Sequence, residues 1–249
     1  MEWREEAVVL SSRRHGESAL IVTVMTEGHG RHAGLIRGGG GRASRGVFQP
    51  GNQIACAWRA RLASHLGTFT AELVKPRAAD LLDDAGRLAG LSSACAVLDT
   101  MLPERESHLA VYRGLVVLLD SLIDPECESE AWGAAYVGWE IGLLRELGFG
   151  LDLSSCAATG ATEDLVWVSP RTGRAVSRSA GAPYAERMLV LPGFLVGAEP
   201  ATMAAILTGL RLTGHFLGRH GLHGKDLSLP AARDRLLAIL GRDAPISGG

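Results

Sequence analysis

The first 75 residues alternate between short apolar stretches and polar or glycine-rich turns, a pattern typical of a small β-sheet. Five segments are predicted as strands: Ala7 to Leu10, Ala19 to Met25, His32 to Arg37, Gln53 to Leu62, and Thr68 to Val74. In the fourth, every second residue from Ile54 to Leu62 is apolar, whereas Arg59 and Arg61 fall on the opposite face, because side chains alternate along a strand. The pattern predicts a closed five-stranded barrel with paired arginines outside.

Beyond Pro76 the apolar spacing changes to the helical period of about 3.6 residues. Helices are predicted for Leu88 to Leu102, Leu109 to Ile123, Trp132 to Leu147, Pro200 to Leu217, and from Asp226 as N-cap to Leu240. The third has an apolar stripe of Trp132, Ala135, Tyr136, Trp139 and Leu143. A Gly-, Ser- and Thr-rich break at 148–192 contains one strand signal, Leu165 to Ser169. We therefore expect an α+β fold, with a barrel domain at 1–78 and a helical domain at 79–249.

The charge is distributed unevenly between these two parts. The chain has a net charge of -2, but residues 1–80 hold 11 Lys and Arg against 7 Asp and Glu, and residues 81–249 hold 14 against 20. Such asymmetry indicates a basic module that meets a polyanion, attached to an acidic body with another task. Nearly all the basic residues are arginine. Because genome composition alone can produce a high arginine content, arginine richness by itself is weak evidence for binding to a polyanion.

Composition also suggests where the protein acts. No apolar stretch approaches the roughly 20 residues that span a bilayer, and the start, Met1 to Glu6, is acidic, unlike a signal peptide. The four cysteines are far apart and form no framework. We expect a cytoplasmic protein with no membrane association.

Residues 31–48 are the strongest candidate for a binding segment. They hold Arg31, Arg37, Arg42 and Arg45, no acid, and four consecutive glycines at 38–41. Glycine lets the backbone approach a ligand, and arginine offers forked donors to phosphate oxygens. A mobile loop that grips phosphates is the functional interpretation, and a solvated loop that happens to be basic is the alternative.

Aromatic residues suited to base stacking are sparse in the barrel. Trp58 and Phe69 fit the inward alternation and are predicted to lie in the core, which leaves Phe48 and Trp3 as candidates. Nucleic-acid binding should therefore depend mainly on phosphate charge.

Patterns that indicate nucleotide binding, hydrolysis or metal binding are incomplete. Gly41 is followed by Arg-Ala-Ser where a P-loop needs Gly-Lys-Ser/Thr, and the Gly-x-Gly-x-x-Ala match at 28–33 lacks its helix. The C-terminal His215, His220 and His223 are spaced poorly for one helical face. Cys156-Ala-Ala-Thr-Gly160 is half of a zinc knuckle. We expect no catalytic residue, no metal and no cofactor.

Several ordered motifs together resemble the RecO family over nearly the whole length. They are Arg14-His-Gly-Glu-Ser-Ala-Leu20, Thr26-Glu-Gly-His-Gly-Arg31, Gly41-Arg-Ala-Ser-Arg45 before Phe48-Gln-Pro50, Trp139-Glu140, Leu147-Gly-Phe-Gly-Leu-Asp-Leu153 before Cys156-Ala-Ala-Thr-Gly160, and Tyr184 to Pro192. The resemblance implies an N-terminal OB-fold, a helical domain, and a degenerate zinc-finger-like insertion at 152–194. It further implies binding to single- and double-stranded DNA, strand annealing, association with RecR, and docking of the acidic tail of single-stranded DNA-binding protein, in order to load a recombinase.

Two sets of residues are predicted from these patterns. The expected DNA contacts are Arg14, Arg31, Arg37, Arg42, Ser44, Arg45, Arg59 and Arg61. The expected contacts with the acidic tail are Arg113, Arg145 and Arg211. Two other functions stay open: a barrel module acting on structured RNA, and a metal-dependent hydrolase that uses the C-terminal histidines.

Overall fold

The structure is a computed structural model that describes residues 1–39, 41–220 and 228–243, with the backbone alone at 42, 43, 220 and 243. The chain divides into two compact units. Unit 1 holds Met1–Asp124 and Pro230–Leu236, and unit 2 holds Pro125–Leu229 and the residues from Leu237 on. The predicted division at residue 78 stays a prediction.

Unit 1 contains the predicted five-stranded barrel, which is confirmed. Its strands are β1 (Glu2–His15), β2 (Ala19–Thr26), β3 (Gly30–Ile36), β4 (Gln53–Arg59) and β5 (Thr68–Lys75). They close in the order β1-β2-β3-β5-β4, a ring resembling an OB-fold. All pairs are antiparallel except β3 and β5, which meet in parallel at the single register pair Leu35 and Thr68.

Alternation along the strands fills the barrel interior, and Trp58 and Phe69 are confirmed as core residues. The interior is formed by Ala7, Val9, Leu20, Val22, Val24, Ile36, Phe48, Ile54, Cys56, Trp58 and Phe69. The predicted fourth strand was too long, because β4 ends at Arg59 and the chain then turns. Leu62, expected inside, is 54% exposed. Arg61 accordingly lies in the β4–β5 loop, residues 60–67, and not on the strand face.

A short helix replaces part of the expected mobile loop after β3. Helix α1 spans Arg42–Val47, and the Asn52 side-chain amide donates to the carbonyls of Gly46 (2.9 Å) and Val47 (3.2 Å) at its end. Phe48 follows directly and is buried in the barrel core. The expectation that Phe48 is a stacking surface for bases is therefore wrong, because this apolar ring anchors α1 to the barrel.

Further elements of unit 1 pack on the outside of the barrel. They are α2 (Arg77–Asp80), α3 (Ala85–Met101) and α4 (Leu109–Ile123). Ile21 and Met25 point away from the barrel interior, since they alternate with core residues of β2, yet both are buried. Both faces of β2 are therefore buried at these positions.

Unit 2 combines helices with a small sheet. Its elements are α5 (Ser129–Glu146), β6 (Leu165–Val168), β7 (Ala175–Ser177), α6 (Arg178–Gly181), a 3-10 turn (Ala182–Arg187), β8 (Leu189–Val190), a second 3-10 turn (Gly193–Val196) and α7 (Met203–His220). The last helix, α8 (Ala231–Asp243), begins in unit 1, and its residues from Leu237 on belong to unit 2. The sheet has the order β7-β6-β8, of which the sequence predicted β6 alone. The predicted N-cap Asp226 lies outside the described residues. No described helix is long and apolar enough to cross a membrane.

The apolar stripe predicted on α5 is mostly correct. Trp132, Tyr136, Trp139 and Leu143 are buried. Ala135 was wrongly included, since it is exposed, while Glu140 on the same helix is fully buried and accepts a hydrogen bond from the Thr213 hydroxyl of α7.

Candidate nucleic-acid interface

The β1–β2 hairpin extends beyond the body of the barrel. All residues from 12 to 18 are exposed, including Arg13 and Arg14, and Gly16 makes the tight turn at φ +63°. Arg14 pairs with Leu20, and Leu20 pairs with Ile36 on the other side. Because neighbouring strands lie about 4.8 Å apart, the backbone of Arg14 lies roughly 10 Å from that of Ile36, just before the segment that follows β3.

The segment after β3 brings more arginines to this part of the barrel. Arg37 is exposed, and Gly39 packs so closely that a Cβ atom there would lie 2.9 Å from Ile36 Cγ2 and 3.2 Å from Leu20 Cγ. Arg45 on α1 is exposed, and Ser44 beside it is half-buried. Arg42 begins the same helix, but its side chain lies outside the described residues.

Among the residues that the structure describes, these arginines have no acidic partner. Arg13, Arg14, Arg37, Arg45 and Arg61 are all exposed, and none of them forms an ion pair with a described residue. Their charge is therefore available to an anion in solution. We define these five side chains as the basic rim.

Two other arginines that were predicted to contact DNA, Arg31 and Arg59, have acidic neighbours. The Arg31 side chain is only 18% exposed, and its Nε donates to the Leu102 carbonyl (2.8 Å) while Nη1 lies 3.3 Å from Asp99 and 3.7 Å from Glu104. These groups neutralise and orient Arg31, so we leave it out of the proposed interface. Arg59 is 79% exposed and only loosely paired with Glu2 at 3.7 Å, an exposed pair that holds little energy.

Aromatic rings of the barrel turn inward. Trp3, half-buried, stacks on His29 with ring centroids 4.4 Å apart and lies 6.0 Å from the buried ring of Trp58. The other Trp and Phe rings of residues 1–39 and 41–76 are buried. Among the residues that the structure describes, the rim therefore exposes guanidinium groups and no broad aromatic surface on which bases could stack.

The knuckle-like turn at Cys156 is satisfied by hydrogen bonds. Cys156 is buried, and its Sγ accepts from the Ser177 backbone N–H (3.3 Å) and hydroxyl (3.4 Å). Burial raises the pKa of the thiol, but bonds from Ser177, Thr159 and backbone N–H groups outweigh it and lower the pKa to about 6. Within the described residues no three His, Cys, Asp or Glu side chains gather as metal ligands.

A cleft in unit 2 holds one of the arginines predicted to bind the acidic tail. Its volume is about 720 Å³, and its lining is Gly138, Ile141, Arg145, Leu151, Asp152, Leu153, Ser154, Thr162, Leu165, Leu195 and Val196. We call it the α5 cleft. Hydrogen bonds from Ser154 and then Arg174 lower the pKa of Asp152, and the Arg174 Nε lies 3.2 Å from this carboxylate.

The other two candidates for the acidic tail lie elsewhere in the chain. Arg211 is exposed on α7 in the same unit as the cleft. Arg113 belongs to unit 1, where its Nη2 lies 2.8 Å from Glu27.

Comparison with known proteins finds matches over nearly the whole chain. The family models described as "Recombination protein O N terminal" and "Recombination protein O C terminal" match residues 1–77 and 82–229. The chain belongs to the RecO family. It is 52% identical over 239 residues to a "DNA repair protein RecO" of Rhodospirillum centenum, covering 95% of this chain and 94% of that protein. Proteins of the same description from Rhodospirillum rubrum (49%, 97% of each chain) and a Jannaschia species (47%, 100% of each chain) are also similar.

Membership of the RecO family identifies the chain as a DNA repair protein and a non-enzymatic recombination mediator. Sequence reasoning named four of the five rim arginines but missed Arg13, which lies beyond the first predicted strand, Ala7 to Leu10. The signal was the Arg-Arg-His-Gly run, because a glycine turn directly after adjacent cations indicates a protruding hairpin, in which both strand faces meet solvent.

Proposed function

We propose that this RecO-family protein binds single- and double-stranded DNA through the basic rim, together with Arg42, Ser44 and Arg59, and anneals complementary single strands. Acting in the cytoplasm with RecR and single-stranded DNA-binding protein, it would help load a recombinase. The observation that carries the DNA-binding proposal is the set of five exposed arginines with no acidic partner among the described residues. Guanidinium groups free of local carboxylates form charge-assisted bonds to phosphate oxygens.

Annealing is consistent with the same surface. A protein that holds backbones and offers little aromatic surface leaves the base edges of a strand free to pair. Rim arginines would also reduce the repulsion between two phosphate backbones as they approach. An RNA-binding role stays as the alternative, and it would appear as preference for A-form RNA in a competition titration.

Counterion release provides the test of the rim. For single strands, the slope of log affinity against log salt changes by roughly 0.7 for each neutralised phosphate. In the R14A/R45A variant we therefore expect a slope flatter by about 1.4, with similar weakening on unrelated sequences. The matched control is R171A/R187A, which removes two exposed arginines of unit 2. Equal slopes for the two variants would remove the rim from the interface.

We also propose that the sheet at 152–194 is a zinc-finger-like insertion that holds its shape without metal. The Cys156 Sγ atom accepts hydrogen bonds from the Ser177 N–H and hydroxyl, and these bonds hold the sulfur in place as coordination to a metal ion would hold a thiolate. Hydrogen bonds therefore take over the role of orienting this turn.

The α5 cleft is the proposed dock for the acidic tail of single-stranded DNA-binding protein. Its lining combines apolar side chains such as Leu195 and Val196 with the exposed cation Arg145, which suits a peptide with carboxylates and an aromatic end. We expect R145A to weaken binding of a fluorescent tail peptide by roughly tenfold, as for loss of a charged hydrogen bond. Arg113 and Arg211 are the other candidates, and an effect of R113A or R211A larger than that of R145A would place the dock elsewhere.

A further inference from the structure

The linker between α3 and α4, residues 102–108, lies along the part of the barrel where β3 and β5 pair least. β3 and β5 share only one register pair, so most of the β3 edge has no strand beside it. Glu104 forms a parallel bridge with Arg31, and the Arg105 N–H donates to the Arg31 carbonyl at 2.7 Å. The linker thus takes the place that a strand would fill along this edge.

The Arg105 side chain reaches from this linker to the β4–β5 loop. Its Nη1 donates to the carbonyl of Ala63 and its Nη2 to the carbonyl of His65, the latter at 2.8 Å. The guanidinium carbon lies 6.0 Å from the centre of the Trp58 ring, whose Nε1 donates to Leu66 (2.9 Å). One planar group therefore fixes two loop carbonyls and rests on a core tryptophan.

The backbone of Arg105 is held in an unusual conformation to make these contacts. Its φ is +64°, in the left-handed region that residues with a Cβ atom seldom adopt. Strain of this kind persists when surrounding contacts fix the residue, and it is found often at sites that serve a function. Both the N–H and the guanidinium of Arg105 are committed to such contacts.

The loop that Arg105 holds carries one of the rim arginines. Residues 61–66 are all exposed, so little else in the described structure covers the loop. The loop ends at Gly67, whose carbonyl accepts a hydrogen bond from the Leu35 N–H at 3.1 Å, and the next residue, Thr68, pairs with Leu35. Leu35 lies two residues before Arg37 in the chain. The loop therefore leads into the same surface as Arg37.

We propose that Arg105 is a positioning residue for DNA binding: by clamping the β4–β5 loop, it presents Arg61 to a phosphate of the bound strand. The inference rests on the proposed function of the rim. An exposed loop without this clamp would have to be ordered when DNA binds, and that entropy cost would weaken the affinity. Arg105 acts through Arg61 and makes no phosphate contact of its own.

A double-mutant cycle on the full-length protein tests this. Glycine suits a φ of +64°, so R105G removes the clamp without adding strain. We expect R61A and R105G each to weaken single-strand affinity by roughly three- to tenfold and to flatten the salt slope by roughly 0.7. If Arg105 acts through Arg61, R61A/R105G binds within about twofold of R61A alone.

R105K is the matched variant, because lysine keeps the charge but lacks the planar fork that spans two carbonyls. We expect it to bind DNA like R105G, and we expect hydrogen exchange of the amides at 62–66 to increase in R105G and R105K but not in R61A. Wild-type binding by R105K, wild-type binding by R105G, or a double mutant with the product of both losses would each overturn the proposal.

These outcomes are separable from failure of the rim itself. If R14A/R45A and R61A all bind like wild type, the proposed interface is wrong. If R61A weakens binding and R105G does not, the rim stands and only the positioning role is lost. If R14A/R45A weakens binding and R61A does not, Arg105 has nothing to position and the inference also fails.

Discussion

His32 should make the barrel sensitive to acid. Its side chain is buried in the barrel (4% exposed), with the rings of Trp58, Trp3 and Phe69 at centroid distances of 4.7, 5.2 and 6.2 Å. Neither ring nitrogen has a hydrogen-bond partner among the described residues. Burial, then the charges of Arg105 and His29, lower the pKa of His32 from 6.5 to about 4.

The sign and size of the effect follow from linkage. The native protein holds His32 neutral, whereas the unfolded chain takes up a proton near pH 6.5, so stability is complete above that pH and falls as the pH drops towards 4. A pKa difference of this size corresponds to about 3 kcal/mol at pH 4. That is a large share of the roughly 5 to 15 kcal/mol that stabilises a typical domain.

Urea unfolding monitored by tryptophan fluorescence between pH 7.5 and 4.5 measures the effect. Carboxylates also titrate in this range, so the quantity to compare is the loss in wild type against the loss in H32L, which keeps an apolar side chain in the core. We expect wild type to lose about 2 to 3 kcal/mol more than H32L. H15Q, which removes an exposed imidazole from the hairpin, is the control and should follow wild type. Parallel losses in wild type and H32L would refute the reasoning.

Three further predictions concern stability. D120A should lower the free energy of unfolding by about 2 to 3 kcal/mol in urea titrations, because Asp120 Oδ1 accepts from Nη2 (2.7 Å) and Nε (3.1 Å) of the fully buried Arg77. The Asp120 carboxylate is 42% exposed, so the loss is smaller than for a fully buried pair, and a loss below about 0.5 kcal/mol would contradict the prediction. G30A should reduce the melting temperature far more than G16A, since both glycines have φ above +60° but a Cβ at Gly30 would lie 1.7 Å from a carbonyl oxygen and one at Gly16 meets nothing within 4 Å; equal losses would contradict the packing. Excess EDTA should leave the melting temperature unchanged, because hydrogen bonds satisfy Cys156, whereas a fall that zinc restores would show a structural metal.

Periodicity was enough to predict the five barrel strands and the long helices of this protein, but not all of their ends and not its short elements. Alternation of apolar residues gave the five strands of the barrel and placed Trp58 and Phe69 inside it. It overextended β4 to Leu62, because the apolar alternation continues past the point at which the hydrogen-bonded ladder stops. Helix α1 was missed for a related reason: its glycine-rich context indicates a loop, and it is held by Asn52 and Phe48 from outside the segment.

Which arginines face solvent was decided by the tertiary structure. Arg31 directly precedes the predicted strand His32 to Arg37, and Arg37 ends it; both were predicted to contact DNA, and the sequence alone offers no reason to treat them differently. Folding places the carbonyl of Leu102 and the carboxylate of Asp99 beside Arg31, from positions about 70 residues further along the chain. It places no described acidic side chain beside Arg37. A side chain's charge is fixed by its chemistry, but whether that charge is neutralised depends on which distant groups the fold brings within hydrogen-bonding distance.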